Sequence, residues 1–499
     1  MHELDRRASS RRRGGLVSLF SPRRYQAAFR PYRKSEDGAF LRAITHGERS
    51  IKGALFGCRM CGNCILEQTA LICPMTCPKG LRNGPCGGAT PDSCEVDPSR
   101  PCTWYLIYDK ASRKGLEDRL LEVSAPLDGD RVGRETWLDL LRTMRARGKG
   151  PRVRDALFDR KRFRQERDAL LLDVRQPEWW RGDDRYHPPA YDEPISGLEA
   201  SLRGSSFVVT AEVAPPRGAS PESIREKVGW LRGIVAAANF TDNASASARM
   251  SSLASSKICL DAGIEPVMQL QARDRNRLVL EADAIGAAGL GVSNILCLTG
   301  DHQRFGPAPM AKPDQFDLDS IQLLWMLRRL RDEGRCLDGR EVQDPPRLFL
   351  GAAASPFGAL PKYEAIRAEK KVNAGAQFIQ TQPVFDHDRF LEWLEALDKR
   401  NVLDKVHVLA GLVPLKSAKA AVFMSRDVPG VVIPEALVKR MIEAGDKEAQ
   451  QEEGVRIALE ILGRLRATPG IRGVHIMAIH WESIVPRLVA EAGIAKPVQ

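Results

Sequence analysis

Eight of the eleven cysteines fall in one short stretch, spaced Cys58-x2-Cys61-x2-Cys64-x8-Cys73-Pro and continuing through Cys77-Pro, Cys86, Cys94 and Cys102. Thiolates are soft ligands. C-x2-C pairs build tetrahedral zinc sites, and a C-x2-C-x2-C run with a later Cys-Pro is similar to the ligand run of ferredoxin-type clusters, although here x8 replaces the usual x3. In a long chain with no secretory leader, cysteine at this density points to metal rather than to disulfides. Eight thiolates fill at most two four-thiolate sites. The expectation is therefore an iron–sulfur cluster (4Fe-4S) or zinc, with an unmetallated or disulfide-bonded module as the remaining alternative. Spacing alone does not say which four share a metal. Glycines between the cysteines leave backbone amides free to approach cluster sulfurs and tune a potential.

Four stretches of different composition surround these residues. Residues 1–45 form a basic arm: the first 34 carry a net charge of +8 out of +11 for the whole chain, which leaves the rest nearly neutral. Residues 46–110 hold the cysteine-rich module, and 111–204 are a charged, patchily helical linker. From 205 to 499, short β-branched runs alternate with longer amphipathic ones. With 43% hydrophobic and 28% charged residues there is material for a large core, so a mainly disordered chain is excluded. No run reaches the ~20 apolar residues of a membrane-spanning helix, and the leader is not secretory. The expected location is the cytoplasm.

The predicted strands are Phe207–Val213, Val235–Phe240, Pro266–Leu270, Asn294–Leu298, Leu348–Ala354, Gln377–Thr381, Val406–Val413 and Val474–Ile479. Strand–helix alternation implies parallel pairing, and eight repeats imply an α/β fold of the (β/α)8 TIM-barrel type. It would be preceded by the small cysteine-rich metal-binding domain and the linker; an open doubly wound sheet is the competing topology. In such barrels chemistry sits on the loops after the strands. Those positions hold Glu212, Thr241 with Asp242, Gln271 with Arg273, Asp301, Gln382, Lys416, and His480 with Glu482. The long fourth loop, 301–315, is polar and proline-rich enough to cover a site.

Three segments, TAEVAPPR at Thr210–Arg217, CLTGD at Cys297–Asp301 and FIQTQPVFD at Phe378–Asp386, resemble the methylenetetrahydrofolate reductase family across the whole predicted barrel. The resemblance implies FAD and hydride exchange between 5,10-methylenetetrahydrofolate and 5-methyltetrahydrofolate. It also implies roles. Glu212, followed by Val213, Ala214, Pro215 and Pro216, matches the catalytic glutamate; burial among apolar neighbours would keep it protonated to donate to the departing folate nitrogen. Asp301 matches the aspartate near the flavin, where a fixed carboxylate favours hydride donation and a cationic iminium. Gln382 matches the pterin-binding glutamine. Thr241, Gln269, Lys370 and Lys371 fall at flavin-contact positions, the lysines at its phosphates. Trp481 stands where well-known members carry an arginine, and Ala418 where they carry a stacking phenylalanine. Trp481 is thus a substitute surface for substrate, and the use of NADH or NADPH is left open.

The fragment CPKGLRNGPCGG is similar to the cysteine-rich domain associated with some of these reductases, which implies electron entry through a metal module. A redox protein partner, ferredoxin-like or a dehydrogenase, follows from that reading, with oligomeric state open. Two alternatives remain. One is a zinc-binding interaction protein with a non-catalytic barrel, although the basic arm is too generic a patch to imply nucleic acid. The other is a methyl-folate-oxidising enzyme of a demethylation pathway.

Overall fold

The computed structural model describes residues 38–147, 153–308, 316–428 and 430–495. Most of the basic arm and residues 309–315 of the fourth loop lie outside these residues. The chain separates into two compact units, Met1–Cys64 with Leu127–Leu170 and Ile65–Pro126 with Leu171–Gln499. Among the described residues no helix is long and apolar enough to cross a membrane.

In the smaller unit the helix Ala39–Phe56 buries Glu48 and Lys52. The Glu48 carboxylate accepts from the backbone N–H of Thr136 and Trp137 at 2.8 and 3.0 Å and from Lys52 Nζ at 2.7 Å. Burial alone would raise its pKa. The hydrogen bonds from Lys52 and Thr136 outweigh burial and hold it below the ordinary range.

The larger unit carries eight parallel strands: β1 Val208–Val213, β2 Ala237–Phe240, β3 Pro266–Gln271, β4 Asn294–Leu298, β5 Phe349–Ala354, β6 Phe378–Pro383, β7 His407–Leu412 and β8 Ile471–Ile476. Each pairs with the next and β8 pairs back onto β1, closing a (β/α)8 barrel. The open-sheet alternative is excluded by that last pairing. β8 begins three residues earlier than its sequence pattern implies and ends at Ile476. Gly473 lies within the strand, where β1 passes too close for a side chain: a Cβ there would lie 2.0 Å from Val208 O.

Strand period two sorts the side chains. The outward set (Val209, Ala211, Val213, Ala238, Phe240) joins the helices in the main apolar core. The inward set is layered. Val208, Ala237, Val267, Leu296, Phe349, Phe378 and Leu409 fill the lower interior, closed from below by Leu198 and Leu202 of the helix Gly197–Arg203. Above them the interior turns polar, with Thr210, Asn239, Gln380 and His475 hydrogen-bonded to one another. This dry floor and polar upper layer decide where chemistry can occur.

Residues 65–126 pack on the outside of the barrel. The helix Thr103–Ser112 buries Trp104, Tyr105, Ile107 and Tyr108, and Tyr108 stacks on Tyr363 of the helix Pro361–Asn373 with ring centroids 4.2 Å apart. Asn83 Nδ2 donates to Asp319 at 2.8 Å, the same carboxylate that caps the helix Ser320–Asp332. Buried aromatic contact and a shared cap hold this segment against the helices that follow β4 and β5.

Candidate active site

At the C-terminal end of the barrel a cavity of about 650 Å³ is lined by Asp301, Gln382, Ser355 and Lys371 from the barrel, and by Lys79 and Cys86 from the cysteine-rich segment. Asp301 and Gln382, more than eighty residues apart in sequence, share this cavity. Glu212, Gln269, Thr241, Lys370 and Trp481 are not among its lining residues.

Glu212 is the penultimate residue of β1 and points inward. Its Oε2 accepts from Gln269 Nε2 at 3.1 Å and lies 3.8 Å from His475 Nε2. The carboxyl side chain is 15% exposed and the histidine 3%. Gln269, expected at the flavin, is thus a partner of Glu212.

Asp301 is exposed and is reached through Gly300. That glycine has φ +91°, and a Cβ on it would sit 2.5 Å from Gln271 Oε1, so only glycine fits there. The Asp301 carboxylate accepts from the Ser245 N–H at 3.1 Å, and its carbonyl accepts from Arg273 Nη1 at 3.2 Å. The Gly300 carbonyl accepts from Lys79 Nζ at 3.4 Å, while the same ammonium meets Glu95 Oε1 at 2.7 Å. Burial alone would raise the Glu95 carboxyl; the Lys79 charge and the hydrogen bonds from Cys86 and Gly88 outweigh it and hold it low. Burial drives the Cys86 thiol well up, so it stays protonated at neutral pH.

The two lysines diverge. Lys371 lines the cavity and donates to Ala353 O at 2.5 Å, whereas the Lys370 side chain is buried elsewhere. Burial pushes both down to about 7. Thr241 and Ser355 bury their hydroxyl oxygens with no hydrogen-bond partner. Trp481 is half-buried, with Lys416 Nζ 5.9 Å above its ring, and Lys416 donates to His480 O at 2.9 Å. Glu482 is buried and paired with Lys227 at 2.8 Å. Asp242 is buried against Arg275 at 2.6 Å, and Arg273 is committed to Asp274 and the Asp301 carbonyl. These charged residues brace the loops.

The metal expectation for Cys58, Cys61, Cys64, Cys73, Cys77, Cys86, Cys94 and Cys102 finds no support in the arrangement of the described side chains. None of the eight is in a disulfide, and among the described residues no three or more His, Cys, Asp or Glu side chains are set to hold a metal ion. Cys58 faces Met60, Cys64 lies 3.7 Å from Lys52 Nζ, and Cys86 bonds Glu95.

Reading the sequence missed His475, Gln380, Asn239, Lys79 and Glu95. Placing β8 too late put attention on His480. The period-two pattern of β6 and β8 would have put Gln380 and His475 inside; nothing local pointed to Lys79 or Glu95.

Two family models match the chain: "Methylenetetrahydrofolate reductase" over residues 198–493 and "Methylene-tetrahydrofolate reductase C terminal" over residues 39–130. The second bears on the cysteine-rich module, expected here as an N-terminal associated domain; the matching model describes a C-terminal region, although in this chain it precedes the barrel. Methylenetetrahydrofolate reductase 1 of Schizosaccharomyces pombe is 24% identical over 244 residues, 47% of this chain and 36% of that protein. A probable methylenetetrahydrofolate reductase (NADH) of Oryza sativa subsp. japonica is 24% identical over 209 residues, 41% of this chain and 34% of that protein. The chain thus spans about a third of the length of these curated relatives. Among solved structures, an uncharacterized protein from Clostridium thermocellum, described as binding two copies of 5-methyl-5,6,7,8-tetrahydrofolic acid, aligns at 17% identity and TM-score 0.43, covering 59% of this chain and 98% of its own.

Proposed function

Because the chain belongs to the methylenetetrahydrofolate reductase family, we propose that it is an FAD-dependent oxidoreductase interconverting 5,10-methylenetetrahydrofolate and 5-methyltetrahydrofolate, with Glu212 as general acid. The observation that carries the reading is the meeting of Asp301 and Gln382 on one cavity at the end of the barrel where Glu212 also stands.

The residues present fit a flavin dinucleotide. The cavity has the size of a ligand site, the buried Ser355 hydroxyl on it lacks a partner, and Lys371 offers an ammonium for a phosphate. Asp301, Ser355 and Lys371, all on the cavity wall, would hold the group. Bound there, it supplies or accepts the hydride at the folate's one-carbon unit. Glu212 delivers the proton that lets one C–N bond of the methylene bridge open to an iminium cation. Asp301 adds negative charge where that cation forms. Gln382 both donates and accepts along a pterin edge.

The cysteine-rich segment enters this reading as a wall of the cavity. Among the described residues no group is set to hold a metal ion, and no step here passes through one. Glu212→Gln tests the proposal: flavin and folate binding persist while folate turnover falls by about 10²- to 10⁴-fold, the scale of general acid catalysis. Full folate activity in that variant ends the assignment.

A further inference from the structure

The polar layer inside the barrel contains a histidine that the proposed mechanism does not use. His475 on β8 is 3% exposed and sits among Thr210 of β1, Gln380 of β6 and Glu212 of β1. Which of its nitrogens carries the proton follows from its neighbours. Asn239 Nδ2 donates to Gln380 Oε1 at 2.6 Å, which agrees with the orientation of the Gln380 amide. The Gln380 NH2 group is turned toward Asn239 Oδ1, Thr210 Oγ1 and His475 Nδ1, at 3.2, 3.4 and 3.4 Å. With Nδ1 accepting from that NH2 group, the tautomer adopted for the inference, Nε2 bears the hydrogen. Nε2 is the nitrogen that faces Glu212 Oε2, 3.8 Å away.

That distance exceeds a hydrogen bond, but catalytic contacts are often long before the reacting complex forms and tighten in it. Oε2 already accepts from Gln269 Nε2 at 3.1 Å. With both donors engaged, Oε2 is occupied as an acceptor and the acidic hydrogen belongs on Oε1.

We propose that His475 is a positioning residue for the general acid: its Nε2–H, together with Gln269, fixes Oε2 of Glu212 so that Oε1 delivers the proton to the folate nitrogen. This inference rests on the proposed role of Glu212. It assigns a function to the buried layer beneath the site and predicts that the acid fails by misorientation when the layer is altered.

The test uses the full chain loaded with FAD, the flavin reduced and then mixed with 5,10-methylenetetrahydrofolate in a single turnover. His475→Asn keeps a polar group near Nδ1, facing Thr210 and Gln380, but does not reach Glu212. His475→Gln extends an amide donor toward the Nε2 position. The expected result is about a ten- to hundred-fold slower turnover for His475→Asn, with FAD affinity by fluorescence titration unchanged, and recovery to within about threefold of wild type for His475→Gln. In a Glu212→Gln background His475→Asn should add little, since the two act on one proton. Wild-type turnover by His475→Asn overturns the inference, as does a fully additive double variant. If His475→Asn loses FAD, the single-turnover rate of His475→Gln decides alone, and a hundred-fold loss there overturns the donor role. Wild-type turnover in Glu212→Gln overturns the general-acid reading instead, so the two failures are distinct.

Discussion

The two carboxylates at the barrel mouth are held in opposite ways. Glu212 is gripped from beneath by side chains of the barrel itself: Gln269 of β3 bonds it and His475 of β8 faces it, with Thr210, Asn239 and Gln380 locking the layer below. Asp301 stands on a loop, exposed, and is steadied from outside the strands by the Ser245 amide, by Arg273 and, through Gly300, by Lys79 of the cysteine-rich segment. On the proposed roles, Glu212 has to aim a proton and would benefit from a rigid floor. A group that contributes charge tolerates looser support, because Coulomb interaction falls off gently with distance. The rigid side is intrinsic to the barrel; the other borrows its rigidity from residues 65–126.

This contrast is broken most severely by exchanging the carboxylates for amides. Glu212→Gln should lower folate turnover by about 10²- to 10⁴-fold, and Asp301→Asn by no more than about 10²-fold, both read in single turnover. Equal losses would end the distinction. Next, Lys79→Met leaves the buried Glu95 carboxylate without its counter-ion. Breaking a buried pair costs about 3–5 kcal/mol, visible as a lower urea midpoint. The Asp301 side should suffer with it: flavin affinity should fall more than the pH-independent turnover of the molecules that remain loaded.

A smaller effect concerns Lys371, which burial pushes down to about 7. Because its folded-state pKa lies below the unfolded value, it is charged in both states below pH 7 and neutral only in the folded state above that. Its cost to stability is therefore full at low pH and shrinks as pH rises from about 7 toward 10. Its ammonium is available to a phosphate only on the acid side. FAD affinity should drop by about tenfold or less between pH 6 and 8.5, and Lys371→Met should flatten that profile in a fluorescence titration. Last, metal analysis with a visible spectrum of anaerobically purified protein is expected to show flavin bands, and the same sample tests the cysteine module for iron or zinc. Stoichiometric metal would mean that the thiols regroup from the positions described.

Much of the barrel was legible because strand and helix periods are local properties. β1 to β7 were read from sequence to within a residue or two at their starts, and their inward positions follow from alternation alone. β8 was read late, since Gly470 and Gly473 look like interruptions until the neighbouring strand is in place. That shift hid His475 and promoted His480 and Glu482, which the structure assigns to bracing contacts with Lys416 and Lys227. The cysteines were conspicuous as a pattern, but convergence of eight sulfurs is a three-dimensional property that spacing does not contain.

What the linear chain determined, then, is the alternation that makes a closed parallel barrel and the identity of the carboxyls and amides at its strand ends. Burial periodicity and turn chemistry act over a few residues, so they are written in order along the polypeptide. What only tertiary structure decided is who stands beside whom. Gln269 and His475 meet on Glu212 because the β8–β1 pairing closes the ring. Lys79 reaches Gly300 because the stacking of Tyr108 on Tyr363 lays a distant segment against the barrel. Those contacts join residues up to some 260 positions apart, and their energy comes from burying them together.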